Sequence, residues 1–144
     1  MSKLRVLFVL GCCVTFVTLN GQNPQRTRLT IHVQGIKSPK GSINIALYKS
    51  DADFKQERFA YVQRIRANSN GVAIIDNVDY GTYGVAVYHD ENENFRLDRT
   101  FLGMPSEGYG FSNDARGSFG PPEFKQVSVA LNQSKTEIRM QLSY

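Results

Sequence analysis

The sequence has no tryptophan and only two cysteines, Cys12 and Cys13. Both cysteines lie inside an apolar segment near the amino terminus, so the rest of the chain has none. Beyond that segment, a disulfide framework, a thiol nucleophile and a cysteine-based zinc site are therefore excluded. With only two histidines, His32 and His89, the chain also has few side chains suited to acid–base catalysis.

The chain also lacks an apolar run long enough for a transmembrane helix. The apolar segment at residues 6–19 is shorter than the roughly 20 residues that span a bilayer. Lys3 and Arg5 precede it and small or polar residues follow it, which is the layout of a secretory signal peptide. We therefore predict a signal peptide at residues 1–21 and a secreted or periplasmic domain at residues 22–144. A lipoprotein signal, which would leave Cys12 acylated, is the alternative interpretation.

No basic stripe of the kind that binds nucleic acid is present. The formal net charge of +4 includes Lys3 and Arg5, so the predicted mature part keeps 15 basic and 13 acidic residues. Its lysines and arginines are scattered along the chain rather than bunched. The composition therefore argues against a nucleic-acid partner and leaves the oligomeric state open. The remaining length suits one domain with a core of its own.

Apolar and polar residues alternate with a period of two along most of the chain. The stretches RLTIHVQ, SINIALY and YGTYGVAVYHD show this pattern, and KQVSVALN and TEIRMQLSY repeat it later. One short helical turn is predicted after Ser50, which has N-cap spacing to Asp53. The pattern predicts an all-β fold, namely a single antiparallel β-sandwich of about seven strands, immunoglobulin-like or prealbumin-like.

Asp79, Gly81 and Tyr83 have a D-x-G-x-Y spacing. In immunoglobulin-like sandwiches a tyrosine at such a corner donates a hydrogen bond from its hydroxyl to nearby backbone. The alternative is that Gly81 only makes a turn and that Tyr83 is an ordinary core residue. Both interpretations give Tyr83 a structural role.

The segment YHDENENFRLDR follows a strong predicted strand and places oxygen-bearing groups at alternate positions. In an EF-hand loop such positions carry the calcium ligands. The candidate ligands here are Asp90, Asn92, Asn94, the carbonyl of Arg96, and Asp98. Two residues depart from the EF-hand pattern. Phe95 stands where glycine normally makes the turn, and Phe101 stands where a glutamate normally closes the site.

Two interpretations of this loop remain open. It could bind Ca²⁺ weakly, with a dissociation constant on the order of 10⁻⁴–10⁻³ M as in extracellular modules. Such a site would need a further carboxylate, for which Glu91, Glu93 and Asp114 are candidates. Alternatively, Asp and Asn stand here only because they favour turns and hydrogen-bond to their own backbone.

Residues 99–124 form a long connection without periodicity, here called the flap. Connections of this length in a compact domain are usually binding loops, lids or disordered segments. The flap contains five glycines, and its aromatic residues are Phe101, Tyr109, Phe111, Phe119 and Phe124. This aromatic content argues against disorder. We expect the flap to fold over one end or edge of the sandwich and to pack through its own aromatic side chains.

The stretch GTYGVAVYHDENENFRLDRTFLGMPSEGYGFSNDARGSFGPPEF closely resembles the segment that marks domain-of-unknown-function family 2141, an uncharacterised family of exported bacterial proteins. In that family a G-T-Y strand runs into an H-D-x-N-x-N-x-x-L-D loop. A G-x-P-x-E-G-Y-G-F-S-N-x-A-R-G-x-F-G-P-P run follows. The resemblance implies a small secreted or periplasmic β-sandwich, and it implies no activity, ligand or partner.

For function, we predict an exported, non-catalytic binding or interaction module for an extracellular or envelope ligand, a glycan or a protein. The predicted ligand-binding residues are Tyr109, Phe111, Asn113, Arg116 and Phe119, which offer aromatic faces and polar groups. The alternative is a structural accessory domain of the cell envelope, in which the flap only covers a sheet edge.

A carboxylate-dependent hydrolase acting on glycans is a third interpretation. It would need two carboxylates about 5–10 Å apart, and Glu107, Asp114 and Glu123 are the candidates in the flap. The sequence has no nucleophile motif, no histidine pair at metal spacing and no phosphate-binding glycine loop. We therefore predict that the protein is not an enzyme.

Overall fold

A computed structural model describes residues 25–118 and 120–144. The predicted signal peptide, both cysteines and Phe119 lie outside the described residues. Eight strands in two sheets make up most of the regular secondary structure of the described chain, which confirms the all-β prediction. Within the described ranges, no helix has the length and apolar character needed to cross a membrane.

The strands are short and are joined mostly by turns, as the alternating pattern predicts. In chain order the elements are β1 (Arg26–Gln34), β2 (Ser42–Tyr48), α1 (Asp51–Lys55), β3 (Tyr61–Arg66), β4 (Val72–Asp79), β5 (Gly81–Asp90), β6 (Tyr109–Phe111), a 3₁₀ turn (Ser112–Asp114), α2 (Phe124–Val127), β7 (Ser128–Leu131) and β8 (Lys135–Gln141). There is one strand more than the seven expected, because the flap contributes β6. The stretch predicted as a strand from Lys125 begins instead with the single turn α2.

The two sheets face each other as a sandwich. The smaller sheet has the order β4-β1-β8, and the larger has the order β3-β2-β5-β6, with β7 also paired to β5. All strand pairs are antiparallel except β1 with β8, which are parallel. The predicted antiparallel β-sandwich is thus confirmed in its main features, and this one parallel pair departs from it. The chain reaches β8 by crossing from β7 in the other sheet, so no hairpin forces an antiparallel pairing.

Alternating side chains from both sheets form one core. Its most deeply buried members are Leu29, Ile31, Ile43, Ile45, Leu47, Val78, Tyr83, Val85 and Leu131. Every member of this core lies between residues 29 and 142. A chain of residues 22–144 therefore contains the complete core, and burial of these apolar side chains is its main source of stability.

Two local predictions are confirmed. The Tyr83 hydroxyl donates to the Asp79 carbonyl at 3.0 Å, which is the tyrosine-corner bond. Burial raises the pKa of Tyr83 to about 12, because the ring is almost inaccessible to solvent. At the start of α1, the backbone N–H of Asp53 donates to Ser50 Oγ at 3.1 Å, as expected of an N-cap.

One end of the sandwich carries the long connection after β5, and we call it the loop end. The β1–β2 and β3–β4 turns lie at the same end, because β1, β3 and β5 all finish there. An open cleft of about 380 Å³ lies between these two turns. It is lined by Val33, Ile36, Lys37, Ser38, Pro39, Ala67, Ser69 and Asn70. None of the predicted site residues lines this cleft.

Candidate functional site

The structure divides the flap region into an exposed part and a packed part. The exposed part is a hairpin at residues 98–106, here called the finger. The packed part consists of β6 and the 3₁₀ turn, residues 109–114, here called the cover. The two parts are separated by only two residues, Glu107 and Gly108.

The finger is held together by its own backbone hydrogen bonds. Ser106 N donates to Asp98 O at 2.9 Å, and Thr100 N donates to Met104 O at 2.7 Å. Gly103 N closes the turn by donating to Thr100 O at 2.9 Å, with Gly103 at a left-handed φ of +80°. A turn followed by a left-handed glycine is a common way to close a three-residue hairpin loop. The finger is therefore a defined hairpin and not an irregular loop.

The tip of the finger is apolar and fully exposed. Phe101 is 103% exposed, Leu102 82% and Met104 65%. Among the described residues, a Cβ placed on Gly103 would meet no atom within 4 Å. The expectation that Phe101 packs within the flap is wrong. The hairpin closes on itself at Thr100 and Met104, which leaves the Phe101 ring without a surface to pack against.

The cover joins the two sheets. β6 pairs with residues 86–88 of β5, and Tyr109 exchanges two backbone hydrogen bonds with Ser143 at 2.9 and 2.8 Å. Ser112 is buried, and its hydroxyl accepts from Val85 N at 3.1 Å and contacts the Val127 carbonyl. The cover thus lies at the edge of the larger sheet, beside β5, and is fixed there by contacts with several elements.

The predicted ligand-binding residues fall in and just after the cover. Tyr109 and Phe111 are half-buried, with their ring centroids 6.1 Å apart. The Phe111 ring also meets Phe54 edge-on at 5.9 Å. Arg116 is exposed beyond them. A cavity of only about 10 Å³ lies between these residues. That volume accommodates about one water molecule.

Asn113 has a structural role in the cover. Its side-chain amide donates to the carbonyls of Gln126 and Ser128, both at 3.0 Å. Its left-handed φ of 60° fits a residue type that tolerates this conformation. Phe119, the fifth predicted ligand residue, lies outside the described residues. The structure therefore brings Tyr109, Phe111 and Arg116 around one shallow depression, with Asn113 tied to the backbone beside them.

The 90–98 loop is organised by the buried carboxylate of Asp90, which is 0% exposed. Asp90 Oδ1 accepts from Asn94 N at 3.0 Å, and Oδ2 accepts from Phe95 N at 2.9 Å. Phe95 has a left-handed φ of 64°. The loop thus makes the sharp turn that EF-hand loops make with glycine, even though phenylalanine occupies the position. The two hydrogen bonds to Asp90 hold the backbone in this strained conformation.

The remaining predicted metal ligands meet at Asp98. Asn92 Nδ2 donates to Asp98 Oδ2 at 2.6 Å, and Asn94 Nδ2 donates to Asp98 Oδ1 at 2.9 Å. The backbone N–H of Arg96 donates to Asn94 Oδ1 at 2.9 Å. The side chains of the predicted set therefore converge, and they hydrogen-bond to one another. In residues 25–118 and 120–144, no group of three or more His, Cys, Asp and Glu side chains is arranged to hold a metal.

Glu107 clamps the loop at its base. It is 6% exposed, and its two carboxylate oxygens accept from Glu91 N at 2.9 Å and Asp98 N at 3.0 Å. Burial raises the pKa of the neighbouring Tyr88, and the charges of Asp90 and Glu107 raise it further. The sequence offered Glu107 only as one of three candidate carboxylates for hydrolysis and did not indicate this clamp. The bond from Asp98 to a residue nine positions later depends on the folded path of the finger.

His89 lies buried beside the loop, with 0% exposure. Its Nε2 is 2.8 Å from the Lys40 carbonyl and its Nδ1 is 2.7 Å from the Tyr144 hydroxyl. Because a carbonyl only accepts, Nε2 donates to Lys40, and in the neutral ring Nδ1 accepts from the Tyr144 hydroxyl. Tyr144 also accepts from Lys37 N at 3.1 Å, and burial raises its pKa. His89 therefore ties the β1–β2 turn to Tyr144.

The carboxylates considered for hydrolysis are engaged in structural hydrogen bonds. Glu107 accepts from two backbone N–H groups of the loop, and Asp114 accepts from Gln141 N at 3.1 Å. Glu123 forms a capping box with Gln126 at the start of α2. Glu107 and Asp114 thus accept from the backbone of a loop and of a strand end, and the Glu123 backbone N–H donates to Gln126 Oε1 at 2.8 Å.

Comparison with protein-family models matches residues 31–139 to DUF2141, described as an uncharacterised protein conserved in bacteria. Searches of curated proteins and of solved structures found no match. The matched range runs from β1 into β8 and includes the 90–98 loop, the finger and the cover. The chain therefore belongs to DUF2141, the family that its strand, loop and flap motifs resemble.

Proposed function

We propose that the protein is an exported, non-catalytic binding module whose recognition surface is the flap at the loop end. Export rests on the signal-peptide pattern of residues 1–21. The observation that carries the binding role is the finger. It holds Phe101, Leu102 and Met104 in solvent on a hairpin closed by its own hydrogen bonds.

Exposed apolar residues scattered singly over a surface are normal and need no explanation. Here three large ones share a single hairpin tip. Turn corners favour Gly, Pro, Asn, Asp and Ser, whereas this turn has Phe101 and Leu102. These two side chains bury almost no surface within the domain, so they add little to its stability. A contact with a second molecule accounts for them.

The cover fits the accessory-domain alternative, in which the flap protects a sheet edge. It adds β6 to the edge of β5, and an open sheet edge is a known aggregation hazard. Tyr109 and Arg116 flank its shallow depression, where they would add secondary contacts to a ligand held by the finger. We therefore assign recognition chiefly to the finger and edge protection to the cover.

A photo-crosslinking side chain at Leu102 in exporting cells tests this proposal. We expect adducts on the tryptic peptide that begins after Arg99 and contains the finger. The matched control carries the same crosslinker at Lys135, which is exposed at the opposite end of the sandwich. Adduct formation at Leu102 no greater than at Lys135 would remove the finger as a recognition surface.

As a second candidate function, we propose that the 90–98 loop binds Ca²⁺ weakly. The supporting observation is the turn around Asp90, where Phe95 adopts the left-handed conformation of the EF-hand glycine. Asp90 and Asp98 would provide carboxylate oxygens, and the amides of Asn92 and Asn94 would turn their oxygens from the backbone towards the cation. The amide hydrogen bonds to Asp98 would then be replaced by cation–oxygen contacts.

Thermal unfolding of residues 22–144 in chelator, millimolar calcium or millimolar magnesium tests the calcium proposal. At about ten times the dissociation constant, calcium should stabilise the fold by roughly 1.4 kcal/mol. The Asp98→Asn variant should lose this stabilisation. Asp76→Asn is the matched control, since it makes the same change in a carboxylate that pairs with Arg28 at 2.6 Å on the smaller sheet, outside the loop. A calcium shift that persists in Asp98→Asn would count against the site.

A further inference from the structure

We infer that the finger docks on a membrane, with its apolar tip inserted among the lipids of an anionic bilayer and its arginines at the headgroups. The inference rests on the proposed function, because it identifies the partner of the same surface. The inserted side chains are Phe101, Leu102 and Met104. The headgroup contacts come from Arg96 and Arg99.

The shape of the tip favours a bilayer over a protein pocket. Phe101 and Leu102 occupy the corners of a convex turn that stands clear of the domain. A protein partner would need a pocket complementary to this protrusion. The interfacial region of a bilayer accepts a protruding Phe or Leu without such a pocket.

The backbone of the finger suits shallow insertion at the boundary between lipid and water, because within the described residues the N–H groups of Phe101, Leu102 and Met104 have no backbone acceptor and can keep water or headgroup partners there. Polar backbone groups must be satisfied internally where water is absent. Thr100 N and Gly103 N both donate within the turn, at 2.7 and 2.9 Å. Because the hairpin is already closed, and Glu107 clamps its base at Asp98, docking would order few additional residues.

The charges beside the tip complement anionic headgroups. The guanidinium of Arg99 donates to the Gly103 carbonyl at 3.0 Å, so its charge lies beside the apolar tip. Arg96 is exposed on the preceding loop. Asp98 lies between them in the chain, but two asparagine amides satisfy its oxygens, at 2.6 and 2.9 Å. Arg99 thus places a positive charge beside the tip, Arg96 adds a second on the preceding loop, and anionic lipids attract such residues.

An aromatic and cation pair also joins the adjoining loop to β3. Phe95 is 67% exposed, and the Arg64 guanidinium lies 4.3 Å from its ring centroid. Glu93 pairs with the same arginine at 3.2 Å. Stacked Arg and aromatic groups have an apolar face and a charged edge, a combination suited to the boundary between lipid and water.

Co-sedimentation of residues 22–144 with vesicles tests the inference. This chain keeps the whole core and omits the apolar segment at residues 6–19, which would bind lipid by itself. The probes are vesicles of phosphatidylcholine alone and of phosphatidylcholine with about one third phosphatidylglycerol. We expect binding to the anionic vesicles that weakens as salt screens the arginines.

Three variants separate the contributions. The triple variant Phe101→Ser, Leu102→Ser and Met104→Ser should lower the partition coefficient roughly tenfold or more, because it removes the apolar anchor. Replacing Arg96 and Arg99 by Gln should abolish the preference for phosphatidylglycerol. The matched control, Val62→Ser with Ile74→Ser, changes apolar residues that are 59% and 49% exposed on other strands, and it should bind as the unaltered chain does.

Absence of binding to the anionic vesicles, or equal binding by the triple serine variant, would overturn membrane docking. Equal binding to both kinds of vesicle would overturn the headgroup contacts. If the crosslinker at Leu102 forms protein adducts in cells and the chain does not bind vesicles, membrane docking would be rejected and the binding-module proposal would be kept. Failure of both experiments would overturn the binding module as well.

Discussion

The finger and the cover are almost consecutive in sequence and similar in composition, yet their surroundings are opposite. Both combine aromatic residues with glycine. The finger pairs only with itself, and its aromatic residue, Phe101, is fully exposed. The cover pairs with β5 and with Ser143, and its Phe111 packs against Phe54. The pairing partner of each backbone segment, and not its composition, therefore decides which aromatic residues are buried.

Substituting one glycine in each part should give the largest difference in stability between the cover and the finger. A Cβ at Gly110 would lie 2.6 Å from the Gln141 carbonyl oxygen, which would push β6 away from β8. We expect Gly110→Ala to lower the free energy of unfolding by roughly 2–4 kcal/mol in urea denaturation. Gly103→Ala has space around it but a φ of +80°, so it should cost about 1 kcal/mol. Equal losses would mean that the cover is not packed as described.

Removing the clamp between the two parts should have the next largest effect. Glu107→Gln leaves one carbonyl oxygen where two carboxylate oxygens accept the N–H groups of Glu91 and Asp98. We expect a loss of about 1–3 kcal/mol, with faster hydrogen exchange at those two amides. Glu93→Gln is the control and should change stability little, because its partner Arg64 lies at the surface. Unchanged exchange in Glu107→Gln would show that the clamp does not hold the loop.

One serine in each part allows the same comparison of the cover with the finger, with a smaller expected change in stability. Ser112 is buried in the cover and hydrogen-bonds to Val85, whereas Ser106 is exposed on the finger. Ser112→Ala should cost about 1–2 kcal/mol, because it leaves buried backbone groups without a partner. Ser106→Ala should stay within about 0.5 kcal/mol of the unaltered chain. Chemical denaturation of both variants measures the difference, and similar costs would contradict it.

The smallest expected effect is a loss of stability at alkaline pH. It should come from tyrosines at the base of the cover, and the finger should not contribute to it. Burial raises the pKa of Tyr144 and Tyr88 in the fold. Their contribution to stability is therefore complete below the unfolded pKa of about 10, and it is lost as pH rises through the folded values. Tyr144→Phe should make the fall in stability above pH 10 shallower. An unchanged pH dependence would exclude Tyr144 as a source of the fall.

Features that depend on neighbouring residues were predictable from the sequence. Strand alternation, the tyrosine corner at Tyr83 and the cap at Ser50 are all set by spacings of a few residues. The environment of Phe101 was not predictable, because composition does not reveal which aromatic residues find a partner. The left-handed Phe95 was also missed. Propensity favours glycine there, and the two N–H bonds to the buried Asp90 carboxylate override that preference.

The parallel pairing of β1 with β8 has a consequence for how the chain acquires its fold. β1 is the central strand of its sheet, and its Thr27 hydroxyl contacts that of Thr136, which is 109 positions away. Pairings between such distant residues slow folding, because the intervening chain must lose its freedom first. The smaller sheet lacks its third strand until Lys135–Gln141 is available, so the sandwich is completed only when almost the whole chain has been made. Late completion of the fold agrees with the export proposed above, since a chain that has not yet folded can pass through a secretion channel in extended form.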